Sequence, residues 1–187
     1  MMLLQKQREL VVEYGKKLVT TGLTDGTFGN LSVFNRESGL MANSPSGMDY
    51  FLTTPEDVVV TDLEGNVVDG SRKPSSELDL HRLFYQRRPD VNGVVHTHST
   101  FATVLACLGW AIEPVHYLVA YSGTSVPCIP YYPFGSLELA EAFAQAVKED
   151  INPRDSWRAA KDFRMHIAVE SAKRAFIEAV KRAGGAL

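Results

Sequence analysis

Two histidines separated by one residue, His96 and His98, are the side chains whose types and spacing could most directly do chemistry. The mostly apolar run before them, at residues 90–95, is typical of a buried strand. Because side chains two apart on a strand project from the same face, both imidazoles are expected to point the same way. Imidazole nitrogens bind zinc, so this spacing indicates half of a metal site. The alternative is two polar residues where a strand runs out into solvent.

A carboxylate, Glu77, lies near the start of a helix predicted at residues 75–86, with Ser75 or Ser76 as its N-cap. Glu77 shares one helix face with core residues and with His81, so it is predicted to face inward. The simpler interpretation is a solvated carboxylate that interacts with the helix dipole. His81 is expected to pack or to support the site rather than to bind metal directly.

Polar, glycine-bearing turns form a second candidate feature, at residues 24–30 and 43–47. Turns of this kind, like helix N-termini, expose backbone N–H groups that can hold an anion. The first turn follows a helix and precedes a strand, whereas phosphate and dinucleotide loops run from a strand into a helix. Alone, therefore, it is better explained as an ordinary turn.

Apolar periodicity predicts the elements that must position these residues. Residues 3–21 have the three- and four-residue spacings of an amphipathic helix, and residues 58–68 are typical of a β-hairpin. The chain is therefore predicted to be α/β with an antiparallel meander. Further predictions are a strand at 31–34, helices at 101–110 and 137–147, the latter capped by Ser136, and extended segments at 113–119 and 126–130.

Composition limits the partners that this chain can have. Its 187 residues, 45% of them hydrophobic, suit one well-cored domain and are too few for two of ordinary size. The net charge of -3 comes from mixed acidic and basic residues, so no basic stripe indicates nucleic acid or an anionic membrane. No apolar run reaches the ~18 residues of a membrane span, and charges interrupt the N-terminal apolar pattern. We expect a cytoplasmic protein.

Several motifs, in order and register, resemble the class II aldolase/adducin family, and later segments resemble its L-fuculose-1-phosphate aldolase branch. The resemblance covers about residues 5–148 and implies an α/β/α three-layer domain around a mainly antiparallel sheet. It also implies a cyclic homotetramer with a zinc site near a subunit boundary. Residues 1–187 would form a single domain of this kind, with an atypical C-terminal segment at 149–187. The motifs are at residues 29–32, 44–47, 73–77, 88–90 and 95–99, and the branch segments at 115–117, 129–131 and 134–135.

The resemblance implies roles for individual residues. His96 and His98 match zinc ligands, and Glu77 matches an acid/base that also reaches the metal when substrate is absent. Tyr117 matches a tyrosine that reaches the active site of a neighbouring subunit, where it serves as a proton donor. The residues that match the substrate phosphate site are Gly29, Asn30, Ser46, Gly47, Ser75 and Ser76, with Phe134 near the tyrosine.

The activity implied by the resemblance is a carbon-carbon lyase reaction of carbohydrate metabolism. A zinc-dependent aldolase would reversibly cleave a ketose 1-phosphate, expected to be L-fuculose 1-phosphate, to dihydroxyacetone phosphate and an aldehyde such as L-lactaldehyde. Zn2+ would act as a Lewis acid, so no Schiff-base lysine is needed. In the synthetic direction Glu77 would remove a proton from the hydroxymethyl carbon, and Tyr117 would protonate the aldehyde oxygen.

One departure from the family pattern keeps alternatives open. Family members have a third zinc histidine after the 137–147 helix, and the corresponding segment here contains only His166. Either His96, His98 and Glu77 hold zinc with water, or His166 replaces the missing ligand, or the site is degenerate. In the last case the chain would be a non-catalytic, adducin-like interaction module. A related sugar-phosphate epimerase or dehydratase is the remaining alternative, although the epimerase pattern has Asp where Glu77 stands.

Overall fold

The computed structural model describes residues 2–116, 119 and 125–150, with side chains described as far as residue 146. The chain divides into two compact units, one formed by Met1–His98 with Tyr131–Ala144 and the other by Ser99–Pro130 with Gln145–Leu187. All of the predicted site residues that are described lie in the first unit. The prediction of a single domain over 1–187 therefore stays a prediction.

The first unit contains a five-stranded antiparallel sheet in the order β4-β3-β2-β1-β5. The predicted antiparallel meander is confirmed, including the hairpin that joins β3 to β4. No helix in the described residues is both long and apolar enough to cross a membrane. The strands are β1 (Asn30–Asn35), β2 (Leu40–Asn43), β3 (Val59–Thr61), β4 (Val67–Asp69) and β5 (Gly93–His96), and the helices are α1 (Gln5–Thr20), α2 (Leu78–Arg87), α3 (Thr100–Cys107) and α4 (Leu137–Asp150).

The alternation of side chains along β1 separates two packed faces. Leu31 lies with Val11 and Leu18 of α1 in one buried cluster. Ser32 and Phe34 project to the opposite face, where α2 packs, and the Phe34 ring stacks on Tyr85 with centroids 4.9 Å apart. Helices therefore cover both faces of the central strand. This arrangement is the α/β/α layering that the sequence predicted.

Helix α2 begins later than the sequence predicted. Leu78 is its first residue and Glu77 occupies the N-cap position, whereas Ser75 or Ser76 was the predicted cap. A turn precedes the helix because the Leu78 N–H donates to the Ser75 carbonyl oxygen at 3.2 Å. The Ser75 hydroxyl accepts from the Glu77 N–H, also at 3.2 Å. Glu77 is 8% exposed, so its carboxylate faces inward rather than solvent.

The extended segments predicted at 113–119 and 126–130 form no strand in the residues that are described. In that part of the second unit the only β pairing is an isolated bridge between Ile112 and Val126. Proline has no N–H to donate to a β-ladder, and Pro114, Pro127 and Pro130 interrupt both segments. These prolines explain why the segments do not join a β-ladder.

Arg8 on α1 is a charged side chain that is only 1% exposed. Its Nε donates to the Leu3 carbonyl oxygen at 2.8 Å, and its Nη1 donates to the carbonyl oxygens of Pro55, at 3.0 Å, and Val58. Its Nη2 pairs with Asp69 at 2.6 Å. The guanidinium thus joins α1 to the start of β3 and the end of β4, and its burial is compensated by acceptors on every side.

We predict that Arg8→Met lowers the free energy of unfolding by about 2–4 kcal/mol, because buried carbonyl oxygens lose their donor. Urea unfolding followed by circular dichroism measures this change. Lys17→Met on the same helix is the matched control, since Lys17 is 54% exposed and its ammonium contacts the exposed side chains of Glu13 and Tyr14. The control should change stability by less than about 0.5 kcal/mol. Equal losses in both variants would contradict a structural role for the Arg8 hydrogen bonds.

Candidate functional site

Three potential metal ligands converge where β5 ends. One ligand atom each from Glu77, His96 and His98 lies within 4.8 Å of the others. The Nε2 atoms of the two histidines are 3.0 Å apart, and His96 Nε2 is 3.2 Å from Glu77 Oε2. The structure therefore brings together the histidine pair and the carboxylate that the sequence singled out separately.

The two imidazoles converge as their spacing predicted, although only one of them lies in the strand. Strand β5 ends at His96, and His98 follows in a segment without regular secondary structure. The rings meet edge to face, with centroids 4.9 Å apart and planes at 88°.

A glycine allows β1 to start directly against the end of β5. Gly29 has a φ of 74°, which side chains disfavour, and a Cβ there would lie 2.6 Å from the His96 carbonyl oxygen. The carbonyl oxygen of Gly29 accepts from the Tyr50 hydroxyl at 2.9 Å, which fixes the turn. Asn30 then pairs with His96 across the two strands. The polar turn at 24–30 thus positions the histidine pair.

The donor set suits a divalent cation. Two imidazole nitrogens and one carboxylate oxygen form a common ligand set of catalytic zinc sites, which leave a further position open. Two of the three groups are already partly withdrawn from water, because the side chains of His96 and Glu77 are 20% and 10% exposed, whereas His98 is exposed. A bound cation would compensate the burial of the carboxylate. The residues present therefore fit a divalent metal, and the arrangement can do Lewis-acid chemistry.

Burial favours the metal-binding form of His96. Desolvation lowers the pKa of His96; the Glu77 carboxylate acts in the opposite direction, and His98 lowers that pKa further. Since metals bind the unprotonated imidazole, a lowered pKa keeps the His96 lone pair available near neutral pH.

A buried hydrogen-bond chain leads from Glu77 into the core. Asn30 Nδ2 donates to Glu77 Oε2 at 2.7 Å, and Asn30 Oδ1 lies 2.5 Å from His81 Nε2. His81 Nδ1 is 2.7 Å from the Ser32 hydroxyl, which is 2.6 Å from the Tyr85 hydroxyl. Burial, with a smaller contribution from the neighbouring His96, lowers the pKa of His81 to about 3. His81 is thus neutral and belongs to the support of the site, as expected.

Sequence reasoning missed this chain, although a signal exists. Glu77, His81 and Tyr85 follow one another at four-residue spacing along α2, and Asn30 and Ser32 are two residues apart on β1. Four helical residues advance about 6.0 Å and two strand residues about 6.6 Å, so the two series interdigitate. The detectable signal is therefore a series of polar residues at four-residue spacing on α2 and at two-residue spacing on β1, on faces that would ordinarily be apolar.

Two of the three segments that contain predicted phosphate-binding residues lie next to one another. Residues Pro45 and Pro74 form a β-bridge, and the Ser46 N–H donates to the Lys73 carbonyl oxygen at 2.9 Å. This pairing places the turn of Ser46 and Gly47 beside the segment that holds Ser75 and Ser76. The phosphate role of these residues stays a prediction.

The remaining predicted residues have different positions. Asn30 uses both ends of its amide side chain on Glu77 and His81, so any anion contact there must involve other atoms of the turn. Phe134 is 82% exposed, and it precedes Gly135, whose backbone packs against Ser76. Tyr117 and His166 lie outside the described residues. Their predicted roles therefore stay predictions.

Comparison with known proteins gives the family context. The sequence profile described as "Class II Aldolase and Adducin N-terminal domain" matches residues 9–160. A 5-deoxy-D-ribulose 1-phosphate aldolase from Bacillus thuringiensis serovar kurstaki is 56% identical over 141 residues, which are 75% of this chain and 66% of that protein. A 5-methylthioribulose-1-phosphate/5-deoxyribulose-1-phosphate aldolase from Escherichia coli O45:K1 is 40% identical over 145 residues, 77% of this chain and 67% of that protein.

L-fuculose phosphate aldolases are also similar. The Escherichia coli K12 protein is 37% identical over 139 residues, which cover 74% of this chain and 63% of its own length. A solved structure of an L-fuculose 1-phosphate aldolase superposes with a TM-score of 0.84 at 38% identity, covering 99% of this chain and 90% of that one. The matched part of the chain spans about two thirds of the length of these curated relatives.

We predict that the protein binds about one Zn2+ per chain and that His98→Ala loses most of it, because a catalytic-type site needs at least three protein donors. His166→Ala is the control, and it should retain the metal because Glu77, His96 and His98 complete the site with water. Metal analysis after gel filtration in zinc-containing buffer measures both. Zinc that is lost in His166→Ala would make His166 the replacement ligand, and no zinc in the wild type would favour a degenerate site.

Proposed function

The chain belongs to the class II aldolase and adducin family, and on that basis we propose that it is a zinc-dependent aldolase that reversibly cleaves a ketose 1-phosphate. The observation that carries this proposal is the convergence of Glu77, His96 and His98 within 4.8 Å. A module that served only for protein interaction would have little need for this convergent donor set. The aldolase names of the similar proteins support the same reaction class.

In this proposal His96, His98 and Glu77 hold the cation. Bound Zn2+ would act as a Lewis acid for the negative charge that develops on the substrate oxygens when the carbon-carbon bond breaks. The neighbouring protein groups orient this donor set before substrate arrives. His96 is fixed by β5, and its neighbour on β1, Asn30, holds the carboxylate.

Glu77 is proposed as the acid/base. In the described residues, the contacts of its carboxylate with Asn30 and His96 both fall on Oε2, which leaves Oε1 for the substrate. In the cleavage direction a protonated Glu77 gives its proton to the hydroxymethyl carbon of the dihydroxyacetone phosphate half, and in synthesis it removes that proton. Tyr117 is proposed to exchange the proton of the aldehyde oxygen.

The phosphate group is proposed to bind the backbone-rich turns of Gly29 and Asn30, Ser46 and Gly47, and Ser75 and Ser76. Positive support comes from the pairing of two of these turns and from their position at the start of α2, where the helix dipole favours an anion. Phe134 is proposed to border the same site. A homotetramer, in which Tyr117 reaches a neighbouring subunit, completes the proposal.

For the substrate we favour a 5-deoxypentulose 1-phosphate over L-fuculose 1-phosphate. The relative at 56% identity is named for 5-deoxy-D-ribulose 1-phosphate, whereas the fuculose enzyme is 37% identical. Cleavage of the 5-deoxy sugar gives dihydroxyacetone phosphate and acetaldehyde, which lacks the hydroxyl group that L-lactaldehyde carries beside its aldehyde carbon. The Phe28 ring, 63% exposed and 6.0 Å from the His98 ring, provides an apolar surface beside the candidate site.

We predict that Glu77→Gln keeps the fold but lowers turnover by about 100-fold or more, because the amide cannot exchange a proton. A coupled assay for dihydroxyacetone phosphate measures turnover, and zinc content is determined in parallel. Glu13→Gln is the matched control, since Glu13 is an exposed carboxylate on α1 and should leave turnover unchanged. Wild-type turnover in Glu77→Gln would remove Glu77 from the mechanism. Epimerised sugar phosphate without free aldehyde would favour an epimerase.

We predict that Phe28→Ser lowers the ratio of kcat/KM for 5-deoxyribulose 1-phosphate to that for L-fuculose 1-phosphate by about 10-fold. The physical reason is that serine replaces an apolar surface, which suits acetaldehyde, with a hydroxyl group that can hydrogen-bond the extra hydroxyl of lactaldehyde. Phe51→Ser is the control, because Phe51 is a similarly exposed phenylalanine without a ring contact to the histidine pair. If the ratio is the same in both variants, Phe28 does not determine specificity.

A further inference from the structure

The hydrogen-bond chain behind Glu77 buries polar groups where a core would ordinarily be apolar. Asn30 is 7% exposed, Ser32 2%, and His81 and Tyr85 1% each. Burying so many polar atoms is unfavourable unless each has a partner. The proposed reaction uses Glu77 and Asn30 but gives no role to Ser32, His81 or Tyr85. What these residues do depends on which atom donates in each hydrogen bond.

The direction of the first two hydrogen bonds follows from the carboxylate. An ionised carboxylate only accepts, so the amide nitrogen of Asn30 must face Glu77 and its oxygen must face His81. An amide oxygen is an acceptor, and therefore His81 Nε2 must carry the hydrogen. The tautomer of the imidazole is thus fixed by the orientation of a neighbouring amide.

The remaining directions follow from the neutral state of His81. A neutral imidazole protonated at Nε2 has a bare Nδ1, which accepts from the Ser32 hydroxyl. Ser32 has a single hydroxyl hydrogen, so the Tyr85 hydroxyl is the donor at Ser32, with the Ser32 hydroxyl oxygen 2.6 Å and the Ser32 carbonyl oxygen 2.9 Å away. From Ser32 through His81 and Asn30, every donor along the hydrogen-bond chain points toward Glu77.

We propose that His81 is a positioning residue, which, together with Tyr85, Ser32 and Asn30, forms a one-way hydrogen-bond chain that holds Glu77 Oε2 in place as an acceptor at the candidate metal site. This inference rests on the proposed role of Glu77 and deepens it. The hydrogen-bond chain reaches Glu77 through Asn30 of β1, which pairs with His96 of β5. The carboxylate and the imidazole are therefore oriented by the same pair of strands.

The hydrogen-bond chain positions the Glu77 carboxylate and does not conduct protons. His81 could pass a proton between its two nitrogens, but the Asn30 side chain separates His81 from Glu77. An amide nitrogen only donates hydrogen bonds and does not accept a proton, so a proton transfer would stop there. A proton taken up by Glu77 therefore leaves toward the substrate side, through Oε1. In this arrangement Oε2 of Glu77 accepts the hydrogen bond from Asn30, and Oε1 exchanges the proton with the substrate.

The tautomer of His81 tests the donor order directly. In zinc-loaded protein labelled with 15N-histidine, His81 should carry its hydrogen on Nε2 at pH 7, and the spectrum of His81→Gln identifies its signals. Hydrogen on Nδ1, or on both nitrogens, would overturn the proposal. This measurement uses the wild-type protein, so it remains decisive if a variant fails to fold.

Zinc affinity tests the positioning role. His81→Leu removes the donor to Asn30 and should weaken Zn2+ binding by about 10- to 100-fold, whereas His81→Gln, whose amide carries both an acceptor and a donor, should stay within about threefold of the wild type. Competition with a chelator measures affinity, and circular dichroism checks the fold. Equal zinc affinity in wild type and folded His81→Leu would contradict the proposal.

The test separates this inference from the proposed function, because neither readout requires turnover. If the protein lacked aldolase activity but His81→Leu weakened zinc binding and His81→Gln restored it, the proposed function would fail and the positioning role would stand. A purely structural His81 would instead lower stability in both variants without a difference in zinc affinity, and that result would overturn the proposal.

Discussion

The antiparallel pairing of β1 with β5 at Asn30 and His96 is the constraint on which the candidate site depends. It places an amide that contacts Glu77 opposite a histidine of the metal-ligand pair. The pairing is possible only because Gly29 leaves room for the His96 carbonyl oxygen, at a backbone conformation that favours glycine. A β-carbon at that position would separate the two strands at the point where the donor atoms meet.

The match between helix and strand spacing gives the site its second support. Residues on α2 at four-residue intervals and residues on β1 at two-residue intervals alternate as hydrogen-bond partners. Because such a buried series is stable only when every member has a partner, it specifies one register between helix and strand. An apolar interface of the same size would tolerate small shifts, and these shifts would move Glu77 relative to the histidines.

How much of this could be predicted from the sequence depended on the range of the interactions. Local periodicity correctly predicted α1, the hairpin of β3 and β4, and the inward face of α2, because these depend on residues near in sequence. The convergence of His96 and His98 followed from their spacing. The N-cap position of Glu77 did not follow, because it depends on the turn that precedes α2. The hydrogen-bond chain from Tyr85 to Glu77 was not predicted either. It depends on the register of α2 against β1, and this register joins residues about fifty positions apart in the sequence.

Anomalous diffraction from a zinc-loaded crystal, recorded at the zinc absorption edge, tests the central claim most directly. We expect a single strong peak per chain within bonding distance, about 2.0–2.2 Å, of the Nε2 atoms of His96 and His98 and of one Glu77 oxygen. A peak held by other residues, or the absence of a peak between these three side chains, would contradict the assignment of the metal site and of the reaction that depends on it.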